Sequence, residues 1–339
     1  MFVSNTYEEI IKLENLIFVD VRSEYEYNLE TIPHAINMPI LDNDERVEIS
    51  TIYDMGNHEK AKELAIRYAS VKLEDFYVKI RDLSENHNVC LFCQRGSMRS
   101  SVIFNILKSM GLSIYRLKGG YKAYRKFVIS ALEREIKSHE YVNINGFTGV
   151  GKTEILDFLE REGHNVLNLE KLANHRGSIL GNAGLGKQPS QKMFESLLYE
   201  KFTEFDGKLV FVESESSKIG TINVVKDLRQ AYNNSAHQVF VNCSIDKRIE
   251  RIKNDYLQSE KSIPDIKIGI EYLSKYIGKA NSDILLDKLE EKDYDDIIRT
   301  LIVQYYDKNY AVKKKDFELK VDNVNSNVCA DEIIKYYEQ

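Results

Sequence analysis

A glycine-rich segment, GFTGVGKT at residues 146–153, has the residue types needed to bind a phosphate group. It matches the pattern G-x-x-x-x-G-K-T in full, and it lies between an apolar run and a segment of helical periodicity. Glycines let backbone N–H groups close around phosphate oxygens, a lysine adds positive charge, and the Thr153 hydroxyl is the predicted metal ligand, for magnesium. The predicted phosphate-binding residues are Gly146, Thr148, Gly149, Gly151, Lys152 and Thr153.

An acidic partner for this loop is expected at the end of a neighbouring strand. The segment KLVFVESES offers Glu213 and Glu215 there, where an aspartate is commoner. Either carboxylate could hold magnesium through water or orient a substrate hydroxyl, so both are predicted substrate-site residues. A solvent-facing charge at a strand end is the other interpretation.

A second reactive segment is VCLFCQRGSMRSS at residues 89–101. It places a thiol where an apolar strand gives way to a glycine-containing loop that leads into a helix. Backbone N–H groups at the loop and helix start, together with two arginines, favour the thiolate over the thiol. A thiolate there is a nucleophile that could hold a transferred sulfur or selenium as a terminal anion. The predicted catalytic residues are Cys93, Arg95, Gly96 and Arg99.

The four cysteines, at positions 90, 93, 243 and 329, form neither a disulfide framework nor a paired zinc site. Cys90 forms a C-x-x-C pair with Cys93, so one interpretation of Cys90 is a resolving thiol. Because Cys90 lies inside the apolar strand, packing is the favoured interpretation of that residue.

Two further segments carry side chains suited to substrate contact. Residues 172–192 lack helix or strand periodicity and are rich in glycine and polar residues, as functional loops often are. His175 and Arg176 are the predicted substrate contacts of this loop. In the later run DKRIERIKNDY, Arg248 and Arg251 either cap a bound polyphosphate or belong to a plain amphipathic helix.

Positioning these segments requires two α/β units, because short apolar runs alternate with helical patterns twice along the chain. The sequence predicts an α/β fold with an N-terminal parallel-sheet domain, a second α/β domain around the phosphate loop, and a helical C-terminal segment. The predicted strands are LIFVDV, VCLF and IYRL in the first unit and YVNING, NVLNLE, KLVFVESES and HQVFVNCS in the second.

The segment AYRKFVISALEREIKSHE indicates a helix that links the two domains, with a boundary near Ser138. The predicted domains are residues 1–137, residues 138–260 around the phosphate loop, and residues 261–339. This last part is charged and helical in pattern, and we predict an appended segment or lid.

Composition indicates a folded domain protein. The 339 residues are 43% hydrophobic and 29% charged, with a formal net charge of −6. The N-terminal stretch has acids where a signal peptide needs a basic region, and no apolar run reaches membrane-spanning length. A cytoplasmic location and no membrane partner are therefore expected.

Charge along the chain is uneven, which matters for a nucleic-acid partner. Between Glu85 and Glu133 there is no aspartate or glutamate, so this stretch could face polyphosphate or RNA. A solvated basic face balanced by the acidic tail is the other interpretation. The basic residues in the stretch are Arg95, Arg99, Lys108, Arg116, Lys118, Lys122, Arg125 and Lys126.

The segments DVRSEYEY (20–27), TIPHAINMPI (31–40) and LKGGYKAY (117–124) resemble the recurring motifs of rhodaneses, in the order found in that family. The resemblance implies a rhodanese-like N-terminal domain with Cys93 as the active cysteine. It also implies that Asp20 and Arg22 brace the core of that domain.

The combination of a rhodanese-like half with a P-loop NTPase-like half resembles the tRNA 2-selenouridine synthases. Besides the cysteine and phosphate loops, the similar segments are ERVEISTIYDMGNHEKAKELA (45–65), LANHRGSILG (172–181) and VESESSKIG (212–220), and the resemblance thins after about residue 260. Where the cysteine loop of that family usually has two adjacent glycines, this chain has Gly96 followed by Ser97.

The resemblance implies a transferase that acts on wobble 2-thiouridine of tRNA in two steps. Geranyl diphosphate first alkylates the sulfur, and selenium from selenophosphate then replaces geranylthiol. Lys152 and magnesium would stabilise the leaving pyrophosphate, and Cys93 would receive selenium and pass it to the base. The implied partners are a tRNA with a 2-thiouridine wobble base and an enzyme that supplies selenophosphate.

Two other functions fit the same motifs. An NTP-dependent rhodanese-type sulfurtransferase would use ATP at the phosphate loop and carry sulfur on Cys93. A non-catalytic regulatory module would use the rhodanese-like half to bind anions. An apolar pocket for a prenyl group is not evident from the sequence, since Phe147, Phe194 and Leu198 could line one or belong to an ordinary core.

Overall fold

The structure, a computed structural model, describes residues 3–257, 262–309 and 317–338. The chain forms two compact units, residues 1–132 with 195–197 and residues 133–194 with 198–339. The division falls within the long helix that the sequence analysis predicts between the domains.

The first unit is built around a parallel sheet of strand order β2-β1-β3-β4. Its strands are β1 (Leu16–Asp20), β2 (Ile36–Asn37), β3 (Asn88–Phe92) and β4 (Tyr115–Arg116). Its helices are α1 (Tyr7–Ile10), α2 (Glu24–Leu29), α3 (Asn43–Asp54), α4 (His58–Ser70), α5 (Leu73–Ser84), α6 (Met98–Ser109) and the start of α7 (Gly120–Ser138).

Local sequence explains how the helices of this unit begin. Ser23 and Asp42 cap α2 and α3 through capping boxes with Glu26 and Glu45, which satisfy N–H groups at each helix start. The strands β1 and β3 are apolar and pair in register from Leu16 opposite Asn88 onward. They carry the cysteine loop at the carboxyl end of the sheet.

The second unit contains a parallel sheet of order β11-β10-β5-β7-β6. Its strands are β5 (Glu140–Asn145), β6 (Val166–Leu167), β7 (Leu209–Glu213), the hairpin strands β8 (Lys218–Ile219) and β9 (Ile222–Asn223), then β10 (Gln238–Asn242) and β11 (Leu319–Asp322). The helices that flank the sheet are α8 (Lys152–Arg161), α9 (Leu169–Leu172), α10 (Gln191–Thr203), α11 (Lys226–Asn234) and α12 (Ile245–Tyr256). These strands include every run that the sequence analysis predicts for this unit.

The C-terminal part is largely helical, as predicted, but it also supplies a strand that the sequence analysis did not predict. Its helices are α13 (Ser262–Ile277), α14 (Lys279–Glu290), α15 (Tyr294–Leu301), a π-helical turn (Ile302–Tyr306), α16 (Asp307–Asn309) and α17 (Ser326–Tyr337). Strand β11 then pairs in parallel with β10, and Ile333 of α17 belongs to the same buried apolar cluster as Leu156 and Leu159 of α8. Within the described ranges, every helix is too short or too polar to cross a membrane.

Candidate functional site

The phosphate loop connects β5 to α8 and has the backbone that the motif requires. Gly149 and Gly151 have φ values of +78° and +88°, which favour glycine over residues with a Cβ. Lys152 and Thr153 lie in the first turn of α8, where free N–H groups attract an anion. The Lys152 ammonium donates to the carbonyl of Gly146 at 3.1 Å, so it is held over the loop.

Residues from the end of β11 and from α12 brace this loop. Asn323 donates to the carbonyl of Val150 at 2.8 Å, and a Cβ on Gly151 would lie 2.6 Å from the same amide nitrogen. Arg251 is held by Glu154, by Cys243 and by the Asn323 Oδ1 at 3.0 to 3.1 Å. Arg251 lines the cleft beside the loop, consistent with the polyphosphate interpretation of that residue.

Arg248 does not cap a polyphosphate, and that interpretation was wrong. Its side chain is 4% exposed, and Nε donates to the carbonyl of Thr148 at 2.8 Å. Its other nitrogens form a two-point ion pair with Asp307, at 2.6 and 2.9 Å. Arg248 therefore supports the phosphate loop through Thr148. Its remaining donors are occupied by Asp307 inside the fold.

Three carboxylates face the start of α8. Glu170, Glu213 and Glu215 each offer an oxygen, and these oxygens lie within 4.8 Å of one another. Glu213 is fully buried, and its Oε1 accepts from the N–H of Glu170 at 2.9 Å. Its Oε2 is buried without a hydrogen-bond partner among the described residues. The Thr153 hydroxyl donates to Glu170 at 3.5 Å.

This donor set suits a hard divalent cation. Magnesium prefers oxygen ligands and is usually held by one or two carboxylates together with phosphate oxygens. A buried carboxylate oxygen without a partner is costly unless an ion, water or proton satisfies it. Glu170, Glu213, Glu215 and Thr153 could hold Mg²⁺ directly or through water.

Sequence reasoning missed Glu170, although a signal was present. The predicted strand NVLNLE ends in this glutamate, and the carboxyl ends of parallel strands meet at one edge of a sheet. Strand β6 lies next to β7, so an acid that follows β6 is brought beside Glu213 at the end of β7.

The shared environment of these carboxylates disfavours their ionised forms. Burial, followed by repulsion from Glu215, raises the pKa of Glu213 to about 8. Burial and repulsion from Glu213 likewise raise the pKa of Glu170, and burial raises the pKa of Glu215. The positive charge of Lys152 acts in the opposite direction on all three.

We therefore expect the metal-free protein to lose stability as pH rises from 4.5, the ordinary pKa of a glutamate, towards about 8. A raised folded-state pKa stabilises the protein below the unfolded-state pKa, and this contribution is lost as pH rises through the folded-state value. Thermal melting between pH 5 and 8.5 in a chelator measures the effect. The melting temperature of Glu213→Gln minus that of the unmodified protein should be larger at pH 8 than at pH 5.

The control for this experiment is Glu162→Gln, which changes an exposed acid just after α8. It should leave the pH dependence unchanged. Added Mg²⁺ should restore stability at pH 8 in the unmodified protein more than in Glu213→Gln. A Glu213→Gln curve parallel to that of the unmodified protein would show that these carboxylates are not protonated in the folded state.

A cleft of about 740 Å³ contains the phosphate loop, Glu170, Glu215, His175 and Arg176. His175 is 6% exposed and packed between two glycines, since a Cβ on Gly181 or on Gly220 would lie within 2.7 Å of its ring. Burial, followed by the charge of Arg176, lowers its pKa. The lowered pKa favours the neutral form of the His175 ring, which lies in the cleft wall. Its Nδ1 has no hydrogen-bond partner in the described ranges.

Arg176 is oriented by two contacts. Its guanidinium donates to the carbonyl of Ala183 at 2.8 Å and lies 5.0 Å from the ring centre of Tyr256. The predicted phosphate-binding residues other than Gly146 therefore line one cleft with the predicted contact residues of the long loop. Phe147, Phe194 and Leu198, considered as a prenyl pocket, are not among the described residues that line this cleft.

The cysteine loop of the first unit follows β3 and leads into α6. The Cys93 sulfur lies 3.2 Å from the hydroxyl of Ser100 and 4.0 Å from the carbonyl oxygen of Ser97. Cys90 is fully buried within β3, and burial raises the pKa of its thiol. The burial of Cys90 supports the packing interpretation over a resolving thiol.

Close contact with the turn at Gly119 and Gly120 fixes the shape of this loop. A Cβ on Gly120 would lie 2.0 Å from the Cys93 carbonyl oxygen, and one on Gly96 would lie 2.8 Å from backbone atoms of that turn. Gly96 has a φ of +60°, which favours glycine, whereas Ser97 has a φ of −97°, outside the left-handed region. Position 97 therefore does not have the left-handed φ that would favour a second glycine.

The two loop arginines differ in their surroundings. Arg95 is exposed. Arg99 forms an ion pair with Glu26, with contacts of 2.6 and 3.1 Å, so its charge is largely balanced inside the fold. Sequence reasoning missed Glu26, because this acid is 73 residues away along the chain.

The Asp20 and Arg22 pair braces the core of the first unit, as the resemblance implies, and it also contacts the cysteine loop. Arg22 is 1% exposed and donates to both carboxylate oxygens of Asp20 at 2.7 to 3.1 Å. It also donates to the side chain of Gln94 at 2.8 Å, directly after Cys93. The ion pair therefore positions the loop as well as the core.

The basic stretch is only partly available to a partner. Arg116 is half-buried and donates to the carbonyl of Gly96 at 3.2 Å. Arg125 is buried. The exposed members of the stretch are Arg95, Lys118, Lys122 and Lys126.

Comparisons with protein families divide the chain in the same way. Residues 4–127 match the model of the rhodanese-like domain. Residues 139–339, more than half of the chain, match the model described as the tRNA 2-selenouridine synthase AAA domain. A crystal structure of the N-terminal domain of a Clostridium difficile 630 protein named for ATP/GTP binding is 44% identical, covering 38% of this chain and 99% of that chain, with a TM-score of 0.37.

Relatives that match nearly the whole chain carry one name. The tRNA 2-selenouridine synthase of Pseudomonas paraeruginosa is 30% identical, covering 98% of this chain and 96% of the relative. The protein of the same name from Hydrogenovibrio crunogenus is 28% identical and covers 94% of each chain. On the family model and these full-length matches, the chain belongs to the tRNA 2-selenouridine synthase family.

Proposed function

We propose that the protein is a transferase that converts wobble 2-thiouridine of tRNA to 2-selenouridine through S-geranyl-2-thiouridine. Geranyl diphosphate and selenophosphate are the proposed donors. The observation that carries the proposal is one chain of this family that has both a rhodanese-type cysteine loop and a phosphate loop facing three carboxylates. Each loop suits one of the two steps.

The phosphate loop suits the first step. The thiouridine sulfur attacks the first carbon of geranyl diphosphate, the carbon–oxygen bond breaks, and pyrophosphate leaves. Lys152 and the N–H groups at the start of α8 bind the pyrophosphate and stabilise the charge that develops on it. Arg251 and Arg176 line the same cleft and add positive charge.

The carboxylates and Thr153 would hold Mg²⁺ beside the diphosphate. Bound there, the ion would supply Lewis-acid stabilisation of the leaving group. Glu213 fixes the cluster, since it is fully buried and accepts from the backbone of Glu170.

The cysteine loop suits the second step. Selenium replaces sulfur at the base, and geranylthiol and phosphate leave, with water supplying the phosphate oxygen. Cys93 is the proposed nucleophile of this step: its thiolate attacks the phosphorus of selenophosphate, and selenide leaves and displaces geranylthiolate from the base. Water then cleaves the sulfur–phosphorus bond and releases phosphate. Ser100 lies within hydrogen-bond reach of the Cys93 sulfur. Exposed Arg95 could attract the anionic donor and, with Lys118 and Lys122, the tRNA backbone.

Nucleoside mass analysis of a 2-thiouridine tRNA tests the proposal by omission of each donor. With Mg²⁺ and both donors, 2-selenouridine should form. Without selenophosphate, S-geranyl-2-thiouridine should accumulate, and without geranyl diphosphate neither product should appear. Selenouridine formed in the absence of geranyl diphosphate would contradict the two-step route.

A second candidate function is an NTP-dependent sulfurtransferase, favoured by the full match of residues 146–153 to a nucleotide-type phosphate loop. It predicts ATP consumption that depends on the tRNA. The selenouridine route predicts little ATP turnover and no stimulation by any of its substrates. Measuring phosphate release from ATP in the same reactions separates the two.

A further inference from the structure

A second, apolar pocket opens beside the phosphate-loop cleft. Leu180 and helices α12 to α15 line it, and its lining includes no charged residue among those that the structure describes. Its apolar wall includes Leu180, Ile252, Ile266, Leu289, Ile298 and Leu301.

The pocket and the cleft adjoin each other. They share five lining residues, which are Thr148, Ser178, Ile252, Tyr256 and Tyr306. Thr148 belongs to the phosphate loop itself. A ligand bound through its phosphates at the loop can therefore extend into the pocket past the two tyrosines.

Two of the hydroxyls at this entrance are paired with each other. The Ser178 hydroxyl and the Tyr256 hydroxyl are hydrogen-bonded at 2.8 Å, and Tyr256 is 8% exposed. A nucleobase needs hydrogen-bond partners for its ring nitrogens and amino groups when it is buried, whereas a hydrocarbon needs none. The apolar wall behind this entrance therefore favours a hydrocarbon group over a base.

These observations define a ligand with an anionic head and an apolar tail. Burial of each methylene of such a tail is favourable, and the phosphate loop fixes where the tail begins. We infer that the pocket receives the geranyl chain of the prenyl donor, which rests on the proposed function. Residues that line the pocket but not the cleft, such as Leu289 of α14, limit the length of the chain.

The small volume of the pocket is consistent with binding only the end of the chain, while the diphosphate lies in the cleft. Its volume is about 40 Å³, whereas the cleft measures about 740 Å³. The far end of a ten-carbon chain lies in the pocket, and the carbons nearest the diphosphate pass along Ile252 and Tyr256 in the cleft. The reacting carbon thus stays in the wider space, where a base can reach it.

Calorimetric titration of the full chain with Mg²⁺ and three ligands tests the assignment. The ligands are inorganic pyrophosphate, dimethylallyl diphosphate and geranyl diphosphate. Geranyl diphosphate should bind roughly 10- to 100-fold more tightly than dimethylallyl diphosphate, from the burial of additional carbons. Equal affinities for the two prenyl diphosphates would overturn the inference.

A substitution in the pocket distinguishes the contribution of the apolar tail to affinity from that of the diphosphate. Leu289→Phe, which fills the pocket, should abolish the difference between the two prenyl diphosphates and leave pyrophosphate affinity unchanged. Ile284→Phe is the matched control, because Ile284 lies on the same helix and is 52% exposed. It should behave as the unmodified protein. Leu289→Phe that keeps the full chain-length preference would overturn the inference.

If Leu289→Phe does not fold, Leu289→Ala gives the opposite test. The enlarged pocket should improve binding of farnesyl diphosphate relative to geranyl diphosphate, and no improvement would count against the pocket. Geranyl transfer to tRNA is measured separately. A chain-length preference without transfer would support the prenyl pocket and refute the proposed function. Transfer without a chain-length preference would support the proposed function and refute the pocket.

Discussion

Cys93→Ala is expected to stop the reaction at S-geranyl-2-thiouridine. The variant removes the proposed nucleophile of the selenium step in the first unit, while the phosphate loop and its carboxylates belong to the second unit. Selenouridine should fall below detection, and the geranylated nucleoside should accumulate at the rate of the unmodified protein. Nucleoside mass analysis over a time course measures both.

Cys90→Ala is the matched control for this variant. It removes a thiol three positions away that is fully buried in β3. Selenouridine should form at nearly the unmodified rate. The free energy of unfolding should fall by about 1 kcal/mol or less, because the substitution leaves a small cavity. Loss of selenouridine in Cys90→Ala at retained folding would instead support a resolving thiol, and selenouridine in Cys93→Ala would remove Cys93 from the mechanism.

Lys152→Ala is expected to block both products when the substrate is 2-thiouridine tRNA. The ammonium is held over the phosphate loop, and its loss removes charge where the leaving pyrophosphate becomes most negative. Mutations of comparable groups that stabilise developing charge lower rates roughly 10²- to 10³-fold. Initial rates of geranylation at saturating geranyl diphosphate measure the effect.

Two controls define what Lys152→Ala has changed. Lys208→Ala removes an exposed lysine just before the amino end of β7, at the opposite edge of the sheet from the phosphate loop, and should not alter the rate. Supplying tRNA that is already geranylated should restore selenouridine formation to Lys152→Ala. An unchanged geranylation rate in Lys152→Ala would show that the phosphate loop is not the diphosphate site.

The repeating pattern of buried strands was predictable because the central strands of a parallel sheet are mostly apolar. The strands β1, β3, β5, β7 and β10 all coincide with predicted runs. Strand β11 was missed because it is an edge strand, in which buried Val321 alternates with exposed Lys320 and Asp322. Its partner β10 is about eighty residues earlier, so no local signal marks the pairing.

Site residues were predictable where a motif fixes the backbone, and less so where function depends on distant partners. The phosphate loop and cysteine loop follow from glycine spacing. Glu26, which neutralises Arg99, and Asp307, which pairs with Arg248, are brought close by the fold alone. The amphipathic pattern of α12 did not distinguish Arg248, which is buried behind the loop, from Arg251, which faces the cleft.

Because β11 and α17 return to the sheet, the helices between β10 and β11 form an insertion anchored at both ends rather than a free tail. Asn323, directly after β11, holds the carbonyl of Val150 in the phosphate loop. During synthesis the N-terminal parts of a chain emerge first, so β10 is made about eighty residues before β11, its second neighbour in the sheet. The phosphate loop therefore gains its final support late in folding, and a truncation meant to remove the helices alone would also remove that support.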